Sequence, residues 1–224
     1  MTSRAATPDG AVAIPVEPGA PESDGRHLRR ERNRQAAVDA LLDLYRDGNL
    51  RPSAVDIAER AGLSPRSLFR YFDDVDDLSR AAVARQEERA LPLLPVSAGP
   101  GDPRRTRIDA LVAQRFRLFG AVAAAATVSR MRAPFTPLLA AELARNRAYL
   151  RDQVRALFAL ELAAMEDGRA AEVLAAADVL TSFESHQLLR HAHGFGVERA
   201  RKVMAGAIDA LFAAEDGPSG RAAR

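Results

Sequence analysis

The segment Ser64-Pro65-Arg66-Ser67-Leu68-Phe69-Arg70-Tyr71 concentrates guanidinium, hydroxyl and aromatic groups over two helical turns. A guanidinium can form two parallel hydrogen bonds with the edge of guanine or with a phosphate, and a hydroxyl adds a single one. A short surface helix presenting Arg66, Arg70 and Tyr71 could therefore grip a nucleic-acid backbone or read base edges. Arg66 is the first candidate base reader and Arg70 the second, with a phosphate contact an equal alternative for Arg70. Upstream, Arg29, Arg30, Arg32 and Arg34 form a local basic run. Such runs are commonly just solvated surface, and an arm along the DNA backbone is the functional alternative.

Other constellations carry less chemistry. His186, His191 and His193 lie close together with Glu184 nearby, but their offsets of five and seven do not stack on one helical face as metal ligands four apart would. Surface or interface histidines are expected, with no metal and no cofactor. Phe116, Phe119, Met131, Phe135 and Tyr149 could line an effector pocket with Arg115 anchoring an acidic ligand; large apolar residues at helical spacing also build ordinary core. No nucleophile elbow, phosphate loop or HExxH motif is present, and there is no cysteine, so thiol catalysis, disulfides and Cys-ligated metals are excluded. Nothing points to an enzyme.

The elements that would hold these residues are helical. Hydrophobic residues make up 47% of the 224-residue chain and aromatics only 5%, with alanine and leucine abundant and no strand pattern. The formal net charge is +2, so any nucleic-acid footprint must be local. Residues 1–25, rich in proline and glycine, are expected to be a flexible leader. Ala37, Leu41, Leu44 and Tyr45 mark one helical face, closed at Gly48. Ser53 with Asp56 forms a capping box for a second helix, and Ser64 with Pro65 starts a third that is expected to run to Tyr71. Asp74 caps a fourth. Longer helices follow through Ile108 to Ala126 and Leu139 to Phe158, and a final pair spans about 171–191 and 197–213, with an unstructured tail over 215–224. No stretch is expected to cross a bilayer, which suggests a cytoplasmic protein.

Ala58, Gly62 and Leu68 set the sharpest constraint: a small residue where two helices cross, a turn glycine four residues on, and an apolar plug six further. This spacing belongs to the helix-turn-helix. From Ser53 to Leu78 the sequence resembles the N-terminal domain of the tetracycline-repressor (TetR/AcrR) family. The resemblance as a whole runs from the first helix to the start of the fourth, about 50 residues, and the remainder matches only in helix number and length. It implies an all-α homodimer pairing through its last two helices, a double-stranded DNA operator as partner, and repression relieved by a small-molecule effector. The implied divisions are a helix-turn-helix domain over 26–75 and a regulatory and dimerisation domain over 76–214. The implied DNA contacts are Ser53, Ser64, Pro65, Arg66, Ser67, Phe69, Arg70 and Tyr71, with Ser67 where the family has threonine and Phe69 where it often has tyrosine. The chain departs from the family at Asp73-Asp74-Val75-Asp76-Asp77, where a backbone-binding lysine is usual. Four acids there keep open a different protein, all-helical and ligand-binding or interacting, whose helix-turn-helix reads nothing.

Overall fold

Local capping residues set most helix limits in the computed structural model, which describes residues 21–213. Helix α1 spans Pro21–Arg46 and ends before Gly48, whose φ of 91° lies in the left-handed region. The expected leader is thus shortened, since α1 already includes residues 21–25; residues 1–20 and 214–224, where the leader and tail were expected, lie outside the described residues. Helix α2 spans Ala54–Arg60 behind the complete Ser53–Asp56 capping box. Helix α3 covers only Pro65–Leu68. The expected continuation to Tyr71 is replaced by tight turns, in which Arg70 N–H donates to the Ser67 carbonyl and Tyr71 N–H to the Leu68 carbonyl, at 3.2 and 3.0 Å. Helix α4, Val75–Ala90, starts on Asp74, whose carboxylate accepts from the Asp77 N–H at 2.6 Å.

A 3-10 turn at Leu91–Leu93 leads towards α5, Arg104–Arg132. At 1.5 Å per residue this 29-residue helix is about 43 Å long, enough to run through both halves of the molecule. Helices α6 (Pro137–Leu157), α7 (Ala159–Ala163), α8 (Asp167–Leu180), α9 (Phe183–Gln187) and α10 (Val197–Ala213) complete the body. The penultimate helix expected over 171–191 is broken at Thr181 and Ser182. Thr181 Oγ1 donates back to the Ala177 carbonyl, the Ser182 hydroxyl caps α9, and a π-helical turn at Leu188–Ala192 follows. The described residues contain helices and turns and no strand.

Two cores meet on α5. The head core joins Ala37, Leu41 and Tyr45 of α1 with Ile57, Ala58, Leu68 and Phe72, and takes in Leu78 and Ala82 of α4 and Val128 near the end of α5. The expected boundary at 75/76 therefore runs through a packed helix. The body core gathers Ile108, Leu111, Val112 and Phe116 of α5 with Val154, Phe158, Val173, Ala177, Met204, Ile208 and Phe212. Against expectation, one stretch is long and apolar enough to cross a membrane by length and composition, Arg104–Phe135; half of its most apolar window is buried inside the protein. It is the central packing helix of this fold.

Candidate nucleic-acid interface

The helix-turn-helix corner closes as the sequence spacing requires. Ala58 and Leu68 are both sealed in the head core, and Gly62 adopts φ 66°, a conformation that costs a side-chain-bearing residue about 1–2 kcal/mol. Its neighbour Leu63 donates its N–H to the Ala58 carbonyl at 2.8 Å, tying the turn to α2. This corner holds α3 so that Arg66, Phe69 and Arg70 are exposed, while Leu68 and Phe72 point into the core.

The start of α3 has less to offer an anion than a longer helix would. Pro65 has no N–H, and the Ser67 N–H is shared by the Ser64 carbonyl and hydroxyl at 2.9 and 3.1 Å. The Leu68 N–H also goes to the Ser64 carbonyl, leaving Arg66 with the remaining backbone donor. With only four residues in α3, a helix dipole contributes little, so any phosphate here is met chiefly by side chains. Ser64 donates its hydroxyl to Ser67 Oγ at 2.9 Å, which frees the Ser67 hydroxyl hydrogen to donate outward. At α2, the Ser53 hydroxyl accepts from Asp56 N–H at 3.2 Å and its own hydrogen is turned to the Asp56 carboxylate. The Ser53 N–H in turn donates to Asp56, holding that carboxyl below its usual value.

Tyr71 departs from the simple outward-facing expectation. It is half-buried, and its oxygen accepts from Asn33 Nδ2 and from an Arg70 guanidinium nitrogen, both at 3.0 Å. Those two bonds hold the phenol below its ordinary value, the Asn33 bond contributing most. Because both partners donate, the phenol hydrogen itself remains available. Arg70 also lies over the Tyr71 ring at 5.3 Å, which fixes its direction. Asn33 was missed in the sequence. The only available signal was its place one turn beyond Arg29 and Arg30 on the same face of α1. Arg34 lies over the Phe72 ring at 5.0 Å, whereas Arg29, Arg30 and Arg32 are exposed and make no ion pair among the described residues.

The acidic run after α3 is largely spent within the protein. Asp74 caps α4, Asp77 accepts from the Asp73 N–H at 3.3 Å and pairs with Arg80, and Asp76 pairs with Arg132. Asp73 remains as an exposed acid beside the recognition segment.

The proposed effector set is not brought together. Phe116 belongs to the body core and Phe119 packs beside Leu118 and Phe183. Arg115 is fully buried and donates to Gln114, to Gln153 and to the Leu150 carbonyl at 2.6, 2.8 and 2.8 Å, so it is a structural tie and no ligand anchor. Burial pushes its pKa down to about 10. Tyr149 is exposed on α6, and Met131 and Phe135 sit at the far end of α5, where they line a different cavity. His186 is buried among Phe116, Phe119 and Phe183, while His191 and His193 are exposed. No group of three or more metal-ligating residues occurs among the described residues.

No family model matches the chain, and no curated protein matches it. Among solved structures, it resembles a Rhodococcus sp. chain named as a TetR-family transcriptional regulator. The match has a TM-score of 0.56, covers 80% of this chain and 98% of that one, and has 22% identity. At that identity the likeness concerns the fold: the all-helical architecture of head and body is shared.

Proposed function

We propose that the protein is a transcription regulator that binds an operator in double-stranded DNA through α2 and α3. One observation carries the reading. A helix-turn-helix corner, closed by Ala58, Gly62 and Leu68, turns Arg66 and Arg70 to solvent together with the free hydroxyl hydrogens of Ser67 and Tyr71 and the exposed Ser53. Arg66 reads bases, Arg70 reads a base or holds phosphate, and Ser64, Pro65 and Phe69 pack the recognition segment against the groove. The exposed face of α1 around Arg29 and Arg30 follows the backbone beyond Tyr71. The fold shared with the Rhodococcus sp. protein named as a regulator supports the same reading.

The finer proposal is a cytoplasmic homodimer that represses from a palindromic site and releases it on binding a small-molecule effector, with no catalytic activity of its own. A second reading, in which the head docks a protein and reads no DNA, draws on the acids at 73–77. It is disfavoured because Asp74, Asp76 and Asp77 already serve a helix start and two arginines.

Gel shifts on DNA from the protein's own promoter region and on a randomised library, at two salt concentrations, test this. A selective complex is expected, weakening steeply with salt as released counterions require. The double variant Arg66→Ala, Arg70→Ala should lose about 5- to 150-fold for each bidentate base contact removed. Absence of any selective complex on either DNA would reject the regulator reading.

A further inference from the structure

A cavity of about 310 Å³ opens between head and body, lined by Leu41, Tyr45 and Leu50 from the head, Val128 and Met131 from α5, and Phe135 beyond it. Its volume is at the lower end of ligand-binding sites. Apart from the Tyr45 hydroxyl, its polar side chains are two guanidinium groups, Arg51 and Arg132, and no carboxylate lines it. Arg51 makes no ion pair among the described residues. Arg132 donates to Ser79 Oγ at 2.7 Å and to Asp76, and the Tyr45 hydroxyl lies against it, yet a guanidinium has five N–H groups to give. Phe135, 86% exposed, and Met131 stand at the rim as apolar surface with nothing packed over it.

Two arginines facing an otherwise apolar chamber match one ligand chemistry. We infer that this seam binds an amphipathic monoanion, its carboxylate between Arg51 and Arg132 and its apolar body against Leu41, Leu50, Val128, Met131 and Phe135. A single charge is selected because the chamber offers no cation beyond Arg51 and Arg132 to a second acid; the neighbouring cavity, across the wall formed by Tyr45, Val128 and Arg132, mixes Asp76, Glu87 and Glu142 with Arg80 and Arg145. Arg51 belongs to the head, two residues before the Ser53 cap, and Arg132 ends α5. The bound carboxylate therefore joins the head to the body and competes with Asp76 for Arg132. Any effect of occupancy on DNA rests on the regulator reading; the site itself does not.

Calorimetric titration of the full chain without DNA separates the two. Octanoate is the probe, with 1-octanol and octylamine as uncharged and cationic controls of equal length. Saturable binding of octanoate is expected, with each control at least tenfold weaker. Arg51→Gln, an exposed change that breaks no ion pair, should weaken octanoate at least fivefold, and Arg132→Gln at least tenfold. Asp76→Asn should tighten it severalfold by removing the competing carboxylate, a gain that a merely damaged fold cannot produce. The assignment is overturned if octanoate fails to saturate, if Arg51→Gln leaves its affinity unchanged, or if octylamine binds as well, which would move the site to the Glu87 and Glu142 side.

Discussion

His186 shows how a single side chain links packing to pH. It is 5% exposed, its ring meets Phe116 at 4.8 Å and Phe119 at 5.7 Å, and its Nδ1 has no hydrogen-bond partner. Burial, with Arg190 and His191 nearby, pushes it down to about 4. The unfolded chain, with histidine near 6.5, then takes up a proton before the folded one does. This contribution to stability is complete above pH 6.5 and is lost as pH falls from 6.5 towards 4. With one pKa unit equal to about 1.4 kcal/mol, lowering the pH to 5 should cost up to about 2 kcal/mol through this residue. His186→Phe keeps the aromatic packing and removes the titration. Urea unfolding at pH 7.5 and 5.0 should show a smaller loss in the variant than in the wild type. Equal losses in both proteins would mean that His186 opens to solvent before it ionises.

Turns and caps are where sequence and element correspond most closely, and Gly62 is the sharpest case. A Cβ added there meets nothing within 4 Å, so Gly62→Ala brings only the strain of φ 66°, about 1–2 kcal/mol, and should lower Tm by about 2–8 °C. Gly120 also has open space but sits inside α5 in ordinary helical geometry, and Gly120→Ala should raise Tm, since alanine there gains about 0.5–1 kcal/mol. Opposite shifts in thermal melts would confirm that backbone angle, and not crowding, governs both sites; a destabilised Gly120→Ala would argue against it. These features were legible because Ser53, Gly62, Ser64 and Asp74 act on groups within four residues of themselves. The break after α8 was not, because Thr181 and Ser182 end one helix and begin another through side-chain bonds that carry no glycine or proline signature. The effector set failed for a related reason. Phe116 and Met131 belong to one apolar pattern, yet fifteen residues of helix separate them by about 22 Å, and α5 passes from the body core to the head core in that distance. Periodicity identifies a buried face without identifying what covers it.

At the scale of the whole molecule, the outward faces of α8 and α10 bear on how two heads could meet one operator. Helix α10 buries Ala200, Met204, Ala205, Ile208 and Phe212, and leaves Val203, Gly206 and Ala210 on its exposed side. Helix α8 buries Val173 and Ala177 and exposes Ala171, Ala175 and Val179. Both outer stripes are small or apolar at helical spacing, and Gly206 leaves open space where another helix could approach closely. A two-fold pairing through these stripes is self-complementary, and it would set two recognition segments one DNA turn apart, about 34–36 Å. Gly206→Glu introduces a charge into the centre of that contact without touching the body core. Sedimentation should give the wild type at twice the chain mass of 24.2 kDa and the variant at the single mass, with unchanged helical circular dichroism. The variant should also lose the selective DNA complex, because one head alone forfeits the second half-site. A wild-type protein that sediments as a monomer would remove this pairing, and an operator for it would then have to be read by a single head.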